Sequence, residues 1–506
     1  MLLVAGPITS VIYGSVLLLL GILTVVVDPL DLFTNWFMEI EEGSFVYNMW
    51  ERPTYSLYSE VWIFNYTNVP QYLRKEDTVL KLEQVGPFVF KEIRTNRNIR
   101  INKENGTMTI IPNTTMSFDR EQSIADTKDV KLFVPNIALL ALSTVAADRL
   151  NFIGNGGIYY STISLGSKLF LNLSAEEYFW GYDDPLVTLA NNFLPGWIDF
   201  KRIGILDRFY AVKTVEAEVE LKDRRTRFSI KKWGNSEGLK EQGFTDYNTS
   251  NLCNRIKGTY EGLMLPPKFS KERMIPIFKK QACRVYPFTF QHQLSDYGFK
   301  YYRYAMEQSA FSKSSPYSCE CKRNCLPEGF VDVSNCYYGF PIALSKLHFQ
   351  DADPKYLADF EGLTPDPSKL NSIFDIEPTI GVPMKLECNI QVNIAVRMSP
   401  ANPVTKPVRN KILPLIWVSM YCKMPPPQII LLLRLRLIIA PILFIIIELL
   451  MFVFGLSLGI NGFYRMWRPN RSINLKPNAK DSIKKNQIYK YFSLFVSIIL
   501  IEILAN

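Results

Sequence analysis

Cysteine is the residue type with the clearest chemical potential in this sequence. Eight cysteines occur, all between residues 253 and 422, and three of them have the spacing Cys319-x-Cys321-x3-Cys325. Such a cluster could bind zinc or form disulfides, but zinc sites usually pair C-x2-C units or add histidine. The sequence has neither pattern, and an even number of cysteines is typical of disulfides in an oxidising compartment. The sequence therefore favours disulfides over a metal site. The spacing of the cysteines alone does not determine which of them are bonded to each other.

Other residues with catalytic potential are few. The chain has two histidines, His292 and His348. That number argues against a multi-histidine metal centre or a histidine-based catalytic network. Asp183 and Asp184 are adjacent acids, but directly before Pro185 they are typical of a turn or a helix cap. We therefore expect a protein that is not an enzyme, with no catalytic residues, no metal and no cofactor.

The positive charge of the chain is concentrated near its end. The formal net charge is +9, and the stretch from Gly462 to Lys490 holds eight basic residues against one acidic residue. The rest of the chain is consequently almost neutral. A general nucleic-acid-binding surface needs basic residues spread over a face of the domain, so we expect no nucleic-acid partner.

Two long apolar segments predict membrane anchors. Residues 1–27 carry no charged side chain, and residues 437–460 are apolar apart from Glu448. Each is long enough to span a hydrocarbon core of about 30 Å as a helix. The first lacks the basic start and the clear cleavage site of a signal peptide. Because basic residues follow the second segment, we expect both termini in the cytosol and residues 28–432 outside it.

The C-terminal tail, residues 461–506, is expected to be cytosolic. Its final hydrophobic stretch, residues 491–504, is about 14 residues long and contains Glu502. That length is below the roughly 20 residues that a spanning helix needs. An interfacial helix, a re-entrant segment and a non-native sequence end remain alternatives for it.

Glycosylation motifs agree with an extracytoplasmic location of the middle of the chain. The N-x-[ST] acceptors between the two anchors are Asn65, Asn105, Asn113, Asn172 and Asn248. The motif marks a surface loop when the segment enters the secretory pathway. We therefore predict a glycosylated, disulfide-bonded ectodomain.

The middle of the chain reads as mainly β-structure. Residues 59–65 and 107–111 are short β-rich runs, and residues 209–221 alternate between apolar and polar with period two. Helical patterns concentrate in about residues 134–200, where Ser174-Ala-Glu-Glu177 fits a capping box. These patterns predict an α+β fold, in which a helical segment is inserted in an antiparallel β-rich domain.

Seven short stretches of the chain occur in the order typical of one family. They are residues 41–50 (EEGSFVYNMW), 62–68 (WIFNYTN), 85–90 (VGPFVF), 180–185 (WGYDDP), 253–258 (CNRIKG), 319–321 (CEC) and 375–381 (DIEPTIG). With the two terminal anchors, they make the chain resemble the class B scavenger receptors. That family includes fatty-acid translocase, the lysosomal integral membrane protein and the insect sensory neuron membrane proteins.

The resemblance implies an architecture for the ectodomain. This is an antiparallel β-barrel-like body with an internal hydrophobic tunnel and an apical helical bundle, tethered by two transmembrane helices. It also implies three disulfides, Cys253–Cys319, Cys283–Cys336 and Cys321–Cys325. Cys388 and Cys422 are additional to this set, and they either form a fourth bridge or remain free thiols.

The resemblance also implies a function. The protein would bind lipids or other hydrophobic ligands, such as fatty acids, sterols, carotenoids or lipoprotein particles, and pass them through the tunnel to the bilayer. In the apical stretch, Lys168 is the candidate contact for an anionic ligand, with a solvated surface lysine as the alternative. We expect Lys168→Glu to weaken the binding of a fatty acid more than that of a neutral sterol ester.

Two other functions remain open within the same family. A trafficking receptor for a luminal protein would need an acidic-dileucine signal, which the basic tail from Arg465 to Lys490 lacks. A sensory co-receptor for hydrophobic odorants would differ from a general uptake receptor in its tissue expression. We expect the plasma membrane as the location, with the endosomal or lysosomal membrane as the alternative, and a homo-oligomer is compatible with the sequence.

Overall fold

The computed structural model describes residues 6–193, 196–210, 215–245, 252–319, 321, 324–366, 371–422 and 424–468. The chain divides into two compact units. The terminal unit consists of Met1–Pro29 and Ile442–Asn506, and the central unit is Leu30–Pro441. The predicted acceptor Asn248, the last hydrophobic stretch and most of the basic tail lie outside the described residues.

Helices occur at both ends of the chain and as a group within residues 137–210. The α-helices are α1 (Pro7–Val27), α2 (Pro29–Phe37), α3 (Phe45–Glu51), α4 (Val69–Leu73), α5 (Ile137–Arg149), α6 (Phe152–Ser164), α7 (Ala175–Trp180), α8 (Pro185–Phe193), α9 (Ile205–Tyr210), α10 (Pro354–Leu357), α11 (Pro427–Arg434) and α12 (Ala440–Trp467). A π-helical turn, Leu435–Ile439, joins α11 to α12. The capping box predicted at Ser174 is confirmed at the start of α7.

Within the described residues, the strands form one large sheet and one small sheet. They are β1 (Leu57–Tyr66), β2 (Leu80–Asn102), β3 (Thr107–Asp119), β4 (Lys131–Pro135), β5 (Phe170–Ser174), β6 (Ala217–Glu220), β7 (Ile230–Trp233), β8 (Ile275–Lys279), β9 (Arg284–Asp296), β10 (Phe299–Met306), β11 (Phe330–Asp332), β12 (Ile342–Ser345), β13 (Phe360–Glu361), β14 (Ile373–Glu377), β15 (Val382–Ala395) and β16 (Ile412–Cys422). The short strands β4 and β5 pair with each other.

The large sheet has the strand order β7-β6-β3-β2-β1-β16-β15-β14-β10-β9-β8. Neighbours along this path are antiparallel, whereas β13 joins β2 in parallel at the side. The first and the last strand, β1 and β16, are neighbours, with Tyr58 opposite Tyr421 and Trp62 opposite Trp417. This pairing places strands from the two ends of the central unit side by side.

In the described part of the chain, two helices are long and apolar enough to cross a membrane. They are α1 and the 41-residue helix Pro427–Trp467, which starts with α11 in the central unit and ends with α12. Glycines allow the two backbones to approach closely, since a Cβ atom added to Gly14 would lie 2.7 Å from both Gly455 O and Gly459 N. Small residues serve this purpose in membrane helix pairs.

Two sequence predictions about elements need correction. The period-two run at residues 209–221 is not one strand, because Phe209 and Tyr210 end helix α9 and the strand is limited to Ala217–Glu220. The second apolar helix begins at Pro427 instead of residue 437. Pro441 has no backbone N–H for the carbonyl of Leu437, and the π-helical turn just before it keeps the helix continuous.

Candidate functional site

A large apolar cavity of about 330 Å³ lies within the central unit. Its walls come from α2, α3, α11 and the π-helical turn, together with loop residues and the start of β15. The lining residues are Leu30, Phe33, Thr34, Phe37, Met38, Phe45, Val46, Met49, Trp50, Pro53, Tyr55, Leu263, Met264, Ile380, Val382, Ile429, Leu432, Leu433, Leu435, Arg436 and Ala440. Its volume is at the lower end of the range typical of small-ligand pockets, about 300–1,000 Å³.

Aromatic contacts and a helix cap hold one side of this cavity. The ring of Phe37 stacks on that of Phe33 at 6.1 Å and on that of Phe45 at 5.7 Å. Helix α3 begins after Ser44, whose Oγ accepts a hydrogen bond from the Tyr47 N–H at 3.1 Å. The cap satisfies an N–H group that would otherwise lack a partner at the helix start. It therefore fixes where α3 presents its side chains to the cavity.

The opposite side is anchored by a small hydrophobic cluster. Ile429 and Leu433 of α11 are buried against Phe299, Tyr301 and Met384. Because residues four apart lie on the same face of a helix, this contact sets the rotation of α11. Its rotation in turn directs neighbouring side chains of the helix towards the cavity.

Three smaller cavities are neighbours of the large one or of each other, as the lining residues that they share show. The next cavity, of about 20 Å³, shares Tyr55 and Leu263 with it. A cavity of about 80 Å³ then shares Leu57 and Leu386 with the second. The fourth, of about 90 Å³, shares Lys280 with the third. The cavities form a series inside the central unit.

The far end of this series is polar. Arg94 forms an ion pair with Glu261, and their side chains are 15% and 11% exposed. Lys280 borders both of the last two cavities, with its ammonium group 5.9 Å from the centre of the Trp233 ring. Burial lowers the pKa of Lys280, while the neighbouring Glu261 carboxylate acts in the opposite direction. This end of the series therefore suits polar groups better than an acyl chain.

Six of the eight cysteines form disulfides in the structure. They join Cys253 to Cys319, Cys283 to Cys336, and Cys321 to Cys325. The first two bonds close loops of 66 and 53 residues. Within the described ranges, no group of three or more His, Cys, Asp or Glu residues is arranged to hold a metal ion.

The fourth disulfide is not present. Cys388 and Cys422 are free cysteines, and both are buried. They lie on neighbouring antiparallel strands, β15 and β16, but out of register. Cys388 is opposite Met420, and Cys422 is opposite Leu386. The two thiols are thus diagonal neighbours, and of the two alternatives the structure has the free thiols.

The remaining predicted site residues lie on the surface or at its edge. Lys168 is exposed in the loop between α6 and β5, and it lines none of the four cavities described. Asn105 and Asn172 are exposed, whereas Asn65 and Asn113 are half-buried in strands. The Asn65 Oδ1 atom also accepts a hydrogen bond from the Phe133 N–H at 2.9 Å. Ligand binding and glycosylation at these residues stay predictions.

Of the two adjacent acids, Asp184 has the structural role that the sequence favours. The Asp184 carboxylate accepts hydrogen bonds from the Leu186 N–H at 2.8 Å and from the Asn136 side chain at 2.9 Å, at the start of α8. His348 is buried, and its ring nitrogens lie 2.7 Å from Thr364 O and 2.9 Å from Gln84 Oε1. These residues connect elements of the fold.

Comparisons with known proteins identify the family. The CD36 family model matches residues 12–466, so the chain belongs to the CD36 family. It is 28% identical over 397 residues to scavenger receptor class B member 1 of Rattus norvegicus, which covers 75% of this chain and 73% of the relative. It is also 28% identical over 390 residues to lysosome membrane protein 2 of Mus musculus, covering 76% and 78%.

The comparisons confirm the resemblance that the seven stretches indicated. With apolar helices at both ends, the chain is an integral membrane protein of the class B scavenger receptor family. The residues that line the large cavity were not among the predicted site residues. The sequence contains two signals for this cavity. Arg436 interrupts an otherwise apolar run between Leu435 and Ile439, and the aromatic residues of α2 directly follow the first anchor.

Proposed function

We propose that this protein is a receptor that binds lipids through an apolar chain and passes them to the bilayer. The large apolar cavity is the observation that carries this proposal. Each methylene group moved out of water contributes about 0.8 kcal/mol. A lipid chain therefore leaves its source slowly unless a receptor offers it an apolar path. No covalent step is needed, and we propose a receptor rather than an enzyme.

The position of the cavity-lining segments in the sequence supports delivery to a membrane. Helix α2 starts two residues after the end of α1, and α11 belongs to the same 41-residue helix as α12. Both are adjacent in sequence to segments able to span a bilayer. We propose that this cavity is the membrane-side end of a lipid path.

The series of smaller cavities supports the tunnel as a proposal. Shared lining residues connect the large cavity to the cavities beside Lys280. The β-barrel-like body, the apical bundle formed from helices α5 to α8 and recognition at Lys168 belong to the same proposal.

We further propose the plasma membrane as the location, with both termini in the cytosol and the central unit outside. The basic residues after α12 support this orientation, because positive charge stays on the cytoplasmic side. The two relatives named above carry the names of a scavenger receptor and a lysosome membrane protein. A lysosomal location therefore remains the alternative to be tested by imaging.

Two neighbouring leucines provide a matched test of the cavity. Leu432 lines it, whereas Leu431 is 58% exposed and does not line it. We expect Leu432→Trp to fill part of the cavity and reduce the lipid that the full-length protein retains, while Leu431→Trp leaves it unchanged. Mass spectrometry of lipids extracted from the purified proteins measures this. Wild-type protein without retained lipid, or equal retention by both variants, would contradict the proposal.

A further inference from the structure

One charged side chain borders the large apolar cavity. Among the described residues that line it, Arg436 alone carries a full charge. Arg436 is half-buried and is the second residue of the π-helical turn between α11 and α12. A guanidinium group at an apolar wall loses part of its hydration. A ligand group that replaces the lost hydration therefore contributes strongly to the binding free energy.

One hydrogen bond orients the guanidinium group of Arg436, while other N–H donors of this group have no acceptor among the described residues. Its Nε–H donates a hydrogen bond to Thr34 Oγ1 at 2.5 Å, and the Thr34 hydroxyl donates to Leu30 O at 2.6 Å. In the described part of the chain, no carboxylate oxygen lies within 4.0 Å of this guanidinium group, and its Nη atoms have no recorded acceptor. The Nη donors are therefore available to bind a ligand in the forked geometry that suits carboxylates.

A nearby carboxylate offers an alternative role for Arg436. Burial raises the pKa of Glu377, and Arg436 is close enough to act in the opposite direction. The Glu377 carboxylate, however, already accepts hydrogen bonds from the N–H groups of Thr379 and Ile380, both at 2.9 Å. Since neither Glu377 oxygen lies within 4.0 Å of the Arg436 guanidinium group, we do not assign Arg436 to this residue.

The backbone that carries Arg436 is itself irregular. The π-helical turn that carries Arg436 is a local irregularity of a kind that is frequent at functional sites.

We propose that Arg436 binds the carboxylate of a fatty acid whose acyl chain occupies the large apolar cavity. The proposal rests on the proposed function, because it assigns a lipid class and a selecting residue to the same cavity. A volume of about 330 Å³ favours one chain over the two chains of a phospholipid. Arg436 thereby makes the cavity selective for an anionic single-chain lipid over its neutral ester.

Arg434 provides the matched control. It lies two residues before Arg436, is exposed and does not line the cavity, and its Nε–H donates to Tyr297 O at 3.1 Å. Arg436→Gln and Arg434→Gln remove the same charge from the same helix. The probes are photoreactive palmitate and its methyl ester, applied to full-length protein in vesicles of neutral phosphatidylcholine. Labelling and peptide mapping then measure apparent affinity and position.

We expect Arg436→Gln to weaken the binding of palmitate by about tenfold, since charged hydrogen bonds contribute strongly, and to change the binding of the ester by less than about twofold. Arg434→Gln should leave both unchanged. Thr34→Val, which keeps the charge but removes the orienting contact, should reduce the preference for palmitate by a smaller factor. Arg436→Lys should retain part of it, because lysine supplies charge without the fork.

Different outcomes overturn different statements. Equal losses of palmitate and ester binding in Arg436→Gln would assign Arg436 to structure and overturn its role in selection. An equal effect of Arg434→Gln would show a general effect of surface charge and have the same consequence. Palmitate labelling that disappears when phosphatidylserine is added to the vesicles would show that a phospholipid headgroup occupies the site. Absence of labelling by both probes in wild-type protein would instead overturn the proposed function.

Discussion

The large apolar cavity and the cavities beside Lys280 belong to the same series but differ in their chemistry. The first is walled by helices that adjoin the membrane anchors in the sequence, and Arg436 is its charged residue among the described lining residues. The last two are bordered by strands and contain Lys280, and one also contains Arg94 and Glu261. In the large apolar cavity, each methylene group of an acyl chain makes binding more favourable. In the cavities beside Lys280, the chain would have to displace polar contacts.

This difference indicates a division of roles within the series. The apolar end can hold a lipid chain without further change. The polar end contains an ion pair, and separating two buried charges has a large free-energy cost. In the proposed path, the step beside Arg94 and Glu261 would therefore be the slow one. The following predictions test this comparison, from the largest expected effect to the smallest.

Glu261→Ala should strongly destabilise the polar end. It leaves the largely buried Arg94 without its partner, and breaking a buried pair costs about 3–5 kcal/mol. The double variant Arg94→Met/Glu261→Met should recover most of this loss, since no uncompensated charge remains. Thermal unfolding of the purified full-length proteins measures both effects. A double variant no more stable than Glu261→Ala would show that the charge itself is not the cause.

Leu433→Ala should enlarge the apolar end at a smaller cost. Leu433 is 1% exposed but already borders a cavity, so we expect a loss of about 2 kcal/mol in unfolding free energy. Leu415→Ala, in the packed sheet at 0% exposed, should cost about 4 kcal/mol. The first variant should also retain more lipid than the wild type. Equal destabilisation, with unchanged lipid retention, would contradict an open cavity at Leu433.

Glu377 should make the stability of the folded protein depend weakly on pH. Burial raises its pKa above the usual 4.5, so the folded protein binds a proton more readily than the unfolded chain. This contribution to stability is fully present below about pH 4.5 and is lost as the pH rises through the folded-state pKa. Glu377→Gln should flatten this part of the profile of thermal midpoint against pH. An unchanged slope would assign the dependence to other groups.

The sequence predicted the elements that have strong local signals. The apolar segment of residues 1–27 contains helix α1, and the runs at residues 59–65 and 107–111 lie within β1 and β3. The capping box at Ser174 needs two side chains three residues apart, so it is visible without any tertiary information. These signals depend on neighbouring residues, and that is why sequence reasoning finds them.

The parts that sequence reasoning missed depend on distant contacts. Arg436 and Thr34 are 402 residues apart, and their hydrogen bond requires the arrangement of α2 and the π-helical turn. The register that separates Cys388 from Cys422 likewise depends on how β15 pairs with β16. At residues 209–210 the period-two pattern was overridden by the formation of α9. None of these could follow from composition or periodicity.

The two free cysteines provide a chemical test of whether the protein is folded. Cys388 and Cys422 are 1% and 4% exposed, and the other six cysteines are held in bonds to each other. A thiol reagent added to intact molecules should consequently find almost nothing to modify. Every two equivalents consumed then correspond to one molecule whose sheet has come apart, so a simple colour reaction measures the quality of a preparation.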